Sequence, residues 1–227
     1  MADKDQTATM MATQETDARD ESAENWQSRK SARMRGRVLE AAIDWLVERG
    51  YAGFSVLALA EKAGVSRGAL QHHFPTKGDL ISAVIDHVVD RRIARFLADF
   101  RASATIVDDQ PQQATAMYWD SVNSRDYAAY LELMVASRTD AELRECFEKG
   151  ALRYDRAWIK EVAGSFPQWE GNEHRLQVAS DFVAATHLGL LLLSTMPEER
   201  RRDVLAFTED AVVGLYHGRD PRGGDPA

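Results

Sequence analysis

Cysteine is almost missing from this chain: Cys146 is the single one among 227 residues. One thiol allows no internal disulfide and no multi-cysteine zinc site. Long apolar runs are missing as well. The longest, from His187 to Leu193, falls far short of the roughly 20 residues that cross a bilayer. The polar N-terminus lacks the apolar core of a secretory signal, so the sequence predicts a cytoplasmic protein with no membrane partner. Only 6 prolines and 14 glycines are present, which excludes a collagen-like or loop-dominated chain. No useful stretch alternates apolar and polar residues, so strands are not expected. What remains is 44% apolar and 28% charged, a composition able to bury a substantial core.

The net charge of −8 argues superficially against a nucleic-acid partner, but its distribution does not. Residues 31 to 101 carry 11 Lys and Arg against 8 Asp and Glu, whereas those beyond carry 13 against 21. A small basic module on an acidic body is expected when one part meets a polyanion and the other does not.

Residues 1 to 30 are polar apart from Trp26 and a few methionines, and read as a disordered extension. From Ser31 the spacing becomes helical, with Val38, Leu39, Ala42, Ile43 and Leu46 leading to Gly50 as a C-terminal stop. Two short helical segments follow: Val56 to Ala63 closed by Gly64, and Arg67 to His73 opened by Ser66. Thr76 and Asp79 form a capping box for a long helix from Lys77 to about Phe100. Further starts are predicted at Pro111, at Ser124, at a Thr139–Glu142 box, at Gly171–Asn172 and at a Thr195–Glu198 box. The reading is all-α, with about nine helices: a three-helix N-terminal domain over 31–80, a larger helical domain over 81–218, and a flexible tail over 219–227.

The stretch from Ser55 to His73 has the spacing of a helix-turn-helix. Ala58, Leu59, Ala63, Val65 and Leu70 pack two short helices across each other, and Gly64 gives the turn its freedom. The opposite face of the second helix presents Arg67, Gly68, Gln71 and His72 in its first turn and a half. N-terminal residues of a recognition helix reach base edges, and Arg and Gln have bidentate geometry for guanine and adenine. Ser55, Ser66 and Lys77 are placed to meet phosphates, Lys77 at a helix N-terminus that favours anions. Arg33, Arg35 and Arg37 are expected to form a flexible basic arm. His72 and His73 diverge by about 100° on a helix and lack a third ligand, so no metal is expected.

Val38-Leu39-Glu40-Ala41-Ala42, Glu48-Arg49-Gly50-Tyr51, Leu59-Ala60-Glu61-Lys62-Ala63-Gly64-Val65-Ser66-Arg67-Gly68 and His73-Phe74-Pro75-Thr76-Lys77-Gly78-Asp79-Leu80 resemble the N-terminal domain of the tetracycline-repressor (TetR) family. The resemblance covers about 50 residues, 31 to 80, in order and spacing. It implies an all-α homodimer whose N-terminal domains bind a palindromic double-stranded DNA operator. It further implies a C-terminal domain that dimerises and binds a small effector which releases the DNA. One departure stands out: Gln71 replaces the tyrosine usual in the family, which alters a base or phosphate contact.

The last two helices, over about 172–194 and 197–217, are more apolar than one chain's core needs. Pairing them across a two-fold axis gives a four-helix dimer interface. Between residues 100 and 187, Met117, Tyr118, Trp119, Tyr130, Met134, Trp158 and Phe182, with Arg138 and His187 as polar members, are the expected lining of an effector pocket. Such a set suits a moderate-sized apolar or aromatic ligand. His187 also reads as a satisfied core histidine. No catalytic constellation, phosphate loop or cofactor motif is present. The expectation is a ligand-responsive repressor and not an enzyme. A protein-binding adaptor that keeps the motif as a scaffold and an all-α enzyme also fit the residues.

Overall fold

The computed structural model describes residues 3–103, 110–164 and 169–219, and among them it contains nine α-helices and no strand. The helices are α1 (Asp3–Arg49), α2 (Val56–Ala63), α3 (Arg67–His73), α4 (Lys77–Ser103), α5 (Gln110–Val122), α6 (Arg125–Ala136), α7 (Ala141–Ala163), α8 (Glu173–Leu192) and α9 (Glu198–Tyr216). The tail from residue 220 lies outside the described residues.

The C-terminal half of α1 with α2 and α3 forms a head. Val38, Ala42, Ile43 and Leu46 are spaced on one face of α1 and are almost wholly buried with Leu59 of α2 and Leu70 of α3. Trp45 packs edge-on to Phe54 at 6.5 Å between centroids. The turn between α2 and α3 follows from Gly64, whose φ of 64° is the left-handed conformation a side chain resists. Gly64 donates to the Glu61 carbonyl and Val65 to that of Ala60, closing α2 in a Schellman motif. Ser55 and Ser66 cap α2 and α3 by accepting from Ala58 and Ala69.

Helix α4, about 40 Å long at the standard rise, ties head to body. Its first turns, with Leu80, Ile81 and Val84, belong to the head's core, and Val88, Ile93, Phe96 and Phe100 continue the same buried cluster into the body. The Thr76–Asp79 box opens it as expected, with Thr76 N–H donating to the Asp79 carboxylate and Asp79 N–H donating to Thr76 Oγ1, both at 3.0 Å. In the body, α4 packs on α5, α6 and α7, α7 on α8, and α9 covers α5 and α8.

Several local expectations are corrected. Helix α1 begins at Asp3, where a disordered extension was expected. Residues 3–30 contain no glycine or proline, so no residue among them interrupts the helix that runs on to Arg49. Arg33, Arg35 and Arg37 therefore stand on α1 and form no flexible arm; Arg35 lies over the Phe74 ring at 4.8 Å. Asp140, not Thr139, caps α7, accepting from Leu143 N–H at 2.9 Å, while Thr139 donates back to Ala136. The Thr195–Glu198 box is not formed: Pro197 occupies the N-cap without a side-chain bond. Asn172 likewise makes no capping bond to α8.

Candidate nucleic-acid interface and buried cavity

On α3 the buried residue is Leu70, while Arg67, Gly68, Gln71 and His72 are all exposed. The head thus presents a short helix by its N-terminal turn, with an arginine and an amide side by side one turn apart. Gln71 is exposed, as a base-reading residue must be. Ser55 and Ser66 are exposed N-caps, and a hydroxyl that accepts from a backbone N–H still has its own proton to donate. His73 turns inward beside Phe74, with its ring 5.3 Å from that of His72. Lys77, at the start of α4, is exposed, and its Nζ rests over the Tyr51 ring at 4.2 Å. The aromatic contact limits the reach of this lysine without neutralising it. Among the described residues, no group of His, Cys, Asp and Glu is arranged to hold a metal, and no helix is long and apolar enough to cross a membrane.

Charged side chains that sequence reasoning did not single out join head to body. Glu40 of α1 accepts hydrogen bonds from His87 Nε2 at 3.1 Å, from Arg91 of α4, and from Arg125 of α6 at 2.9 Å. Arg91 also grips Asp126, and Arg125 also bonds Asp44 and the Glu40 carbonyl. Burial opposes the Glu40 charge, but the hydrogen bonds from His87, Arg125 and Arg91 outweigh it and hold the carboxyl down at about 2. A second tie runs from Glu132 of α6, which accepts from Tyr51 N–H at 2.7 Å, while Tyr51 Oη donates to Asp140 at 3.3 Å. The head is therefore held on α4 and α6 by oriented charge pairs as well as by apolar packing.

The body holds a half-open, mainly apolar cavity of about 120 Å³ between α4, α5, α7 and α8, bordered by Phe96, Tyr118, Tyr154, Trp158, Leu176 and Val183. Of the residues expected to line a pocket, Tyr118 and Trp158 do so; the Trp158 indole donates to Ser180 at 3.2 Å. Met117 instead borders a neighbouring cleft of about 600 Å³ between α4, α5 and the start of α6. Tyr130 packs on Phe147 beside partly buried Met134. Arg138 lies on a surface depression with Tyr51 and Lys77. Phe182 is exposed on α8. Trp119 packs edge-on to His187 at 5.3 Å.

His187 itself is completely buried and stacked on Tyr118, and neither ring nitrogen has a hydrogen-bond partner. It is not the satisfied core histidine that was expected. Burial pushes its pKa down to about 4, so the ring is neutral at pH 7.

Comparison with known proteins decides what this architecture is. The sequence model for bacterial regulatory proteins of the tetR family matches residues 38–84. The chain is 36% identical over 139 residues to the uncharacterised HTH-type transcriptional regulator Rv2912c of Mycobacterium tuberculosis, covering 58% of this chain and 70% of that one. The chain belongs to the TetR family. It is also 33% identical over 131 residues to the HTH-type transcriptional regulator CymR of Pseudomonas putida, covering 56% of this chain and 62% of that relative. A transcriptional regulator from Rhodococcus sp. Rha1 shares the fold with a TM-score of 0.57 at 23% identity, over 79% of this chain and 95% of that one. This TetR-family member is thus a transcriptional regulator with a helix-turn-helix head on a helical body.

Proposed function

We propose that this TetR-family regulator is a homodimeric repressor that binds a palindromic operator and is released from it by a small effector with an apolar or aromatic body. One observation carries the DNA-reading part: α3 buries Leu70 and turns Arg67, Gly68, Gln71 and His72 outward. Arg67 and Gln71 read base edges. Ser55, Ser66 and Lys77 meet the phosphates that set the register. With glutamine in place of tyrosine, position 71 offers the amide pair that matches adenine N6 and N7.

The dimer part is supported by an unpaired apolar stripe on α8. Val178, Phe182 and Leu192 are exposed large side chains, and Ala185 and Gly189 fall between them at intervals of three and four. A Cβ at Gly189 would meet open space, so the stripe faces outward, and its small centre allows close approach of a second helix. Phe207 adds a 70% exposed ring on α9. Pairing α8 and α9 with their copies covers this face and sets the two α3 helices for successive major grooves, about 34–36 Å apart.

The effector part is supported by the cavity beside Trp158, which lies along α4, the helix that also carries the head. A ligand that favours a spacing unsuited to the duplex depletes the DNA-competent population by no more than its differential affinity. The test is a mobility-shift titration on an operator selected from random duplexes. Arg67→Ala is expected to lose about 1–3 kcal/mol and relax preference at one base position, and Lys77→Ala to weaken all sequences alike and lower the salt slope by about 1. Wild-type affinity in both variants would refute the assigned contacts.

A further inference from the structure

The cavity reading leaves one group unexplained. Arg92 of α4 is 5% exposed, and its guanidinium lies over three tyrosine rings, Tyr127 at 4.6 Å, Tyr154 at 5.3 Å and Tyr130 at 5.5 Å. Tyr118 is close enough to hydrogen-bond it, yet Nε and Nη2 have no partner. Those two nitrogens share one edge of the guanidinium, and their N–H bonds point the same way. That edge is the fork that fits the two oxygens of a carboxylate.

The surrounding charges single out Arg92. Arg92 borders the cleft of about 600 Å³ together with Arg91, Arg95 and Arg125. Arg91 is committed to Glu40 and Asp126, Arg95 to Asp99, and Arg125 to Glu40 and Asp44. Among the described residues no carboxylate pairs with Arg92. Its tyrosines do not supply the missing charge, since burial pushes all three phenols up, Tyr130 to about 12. Both nitrogens are shut off from solvent, so the tyrosine rings must give way for an anion to complete the fork, and until one does the buried cation costs stability.

We infer that Arg92 is the anchor of an anion site, and that the effector is an organic carboxylate whose two oxygens occupy the Nε and Nη2 edge while its aromatic or alkyl body lies against Phe96 toward the cavity at Trp158. Phe96 borders both the cleft and the cavity, so a molecule with an acid at one end and an apolar body at the other spans them. A monoanion is favoured over a phosphate dianion because one cation is free, and because Asp99, Asp120 and Asp126 line the same cleft. This site rests on the effector-released reading and narrows its ligand class.

The test compares acids with neutral counterparts on the full-length protein. Benzoate, phenylacetate, 4-phenylbutanoate and octanoate, each paired with its primary amide, are titrated by calorimetry, with inorganic phosphate as a further probe. At least one acid is expected to bind, its amide to bind ten- to roughly a hundredfold more weakly, and phosphate not to bind. Arg92→Met is expected to lose the acid by a similar factor, and Arg92→Lys, which keeps the charge without the fork, to fall between. Arg92→Met should also melt above the wild type, because it replaces an incompletely bonded buried cation by a thioether suited to an aromatic cage.

The inference is overturned if no acid binds, if amides or phosphate bind as well as acids, if Arg92→Met retains the acid, or if Arg92→Met melts below the wild type. Amides that bind and release DNA would remove the anion site and leave the effector reading standing. Acids that bind through Arg92 without changing DNA affinity would keep the anion site and remove the effector reading.

Discussion

Glu40→Gln isolates the charge network between head and body. In the wild type this carboxylate is held at about 2 against an ordinary 4.5 by His87, Arg125 and Arg91, despite the opposing effect of burial. Taken whole, such a displacement corresponds to roughly 3 kcal/mol. The Glu40 side chain is 42% exposed, so solvent screening reduces the stabilisation to about 1–2 kcal/mol. The amide leaves no cation orphaned: Arg91 keeps Asp126, and Arg125 keeps Asp44 and the Glu40 carbonyl. The larger penalty for breaking a buried pair therefore does not apply.

Because the folded pKa is depressed, the contribution is complete above the unfolded value of 4.5 and is lost as pH falls toward 2. Denaturant unfolding of both proteins at pH values between 7 and 2.5 is expected to show a constant gap down to pH 5 that closes below pH 4.5. A gap that persists unchanged to the lowest pH, or no gap at pH 7, would refute the assignment of the stabilisation to the ionised Glu40.

His187→Phe tests the unpaired imidazole in the body. The folded pKa of about 4 lies below the ordinary 6.5, so the unfolded chain takes up a proton first. The wild type then loses stability, about 3 kcal/mol, as pH falls from 6.5 to 4; the variant should lack that loss, as read by thermal melts across this window. Gly150→Ala tests the close approach of α7 to α4. A Cβ there would overlap Ile85 Cγ2, and Ile85 is 1% exposed, so overpacking of about 1–3 kcal/mol outweighs a helix-propensity gain of up to ~1 kcal/mol. Denaturant unfolding should show a net loss of about 1–2 kcal/mol, eased in a background with Ile85→Leu.

The head was legible in the sequence because its signals are local. Apolar spacing on α1, the Gly64 turn, the Ser66 cap and the Thr76–Asp79 box each act within four residues, and each is found where expected. Caps went astray where two candidates stood side by side, as at Thr139 and Asp140, since the choice depends on which residue the chain leaves extended. Little of the cavity lining was legible, because it is chosen by how helices rotate against one another. Tyr118 and Trp158 were anticipated, whereas Tyr154 was not, and the other expected residues turn elsewhere. Arg92 did leave a mark. Val88, Arg92, Phe96 and Phe100 recur every four residues on α4, and all are buried. A lone arginine on an apolar stripe is the signal that sequence reading passed over.

Arg91 and Arg92 are adjacent on α4, and neighbouring residues on a helix point about 100° apart. Arg91 reaches the head at Glu40, and Arg92 reaches the tyrosines of α6 and α7. Asp126, held by Arg91, stands next to Tyr127, which covers Arg92. In the proposed mechanism an anion on Arg92 therefore acts on the same turn of α4, and on the same end of α6, that clamp the head. A small rotation there cannot be absorbed by the packed core between Val84 and Phe96, whose residues are close to fully buried. In that mechanism it is passed to the head through Glu40 and Asp44, which would make the charge network the place where effector and operator affinity are coupled. On this argument Glu40→Gln should reduce the factor by which an effector acid weakens operator binding more than it reduces operator affinity itself.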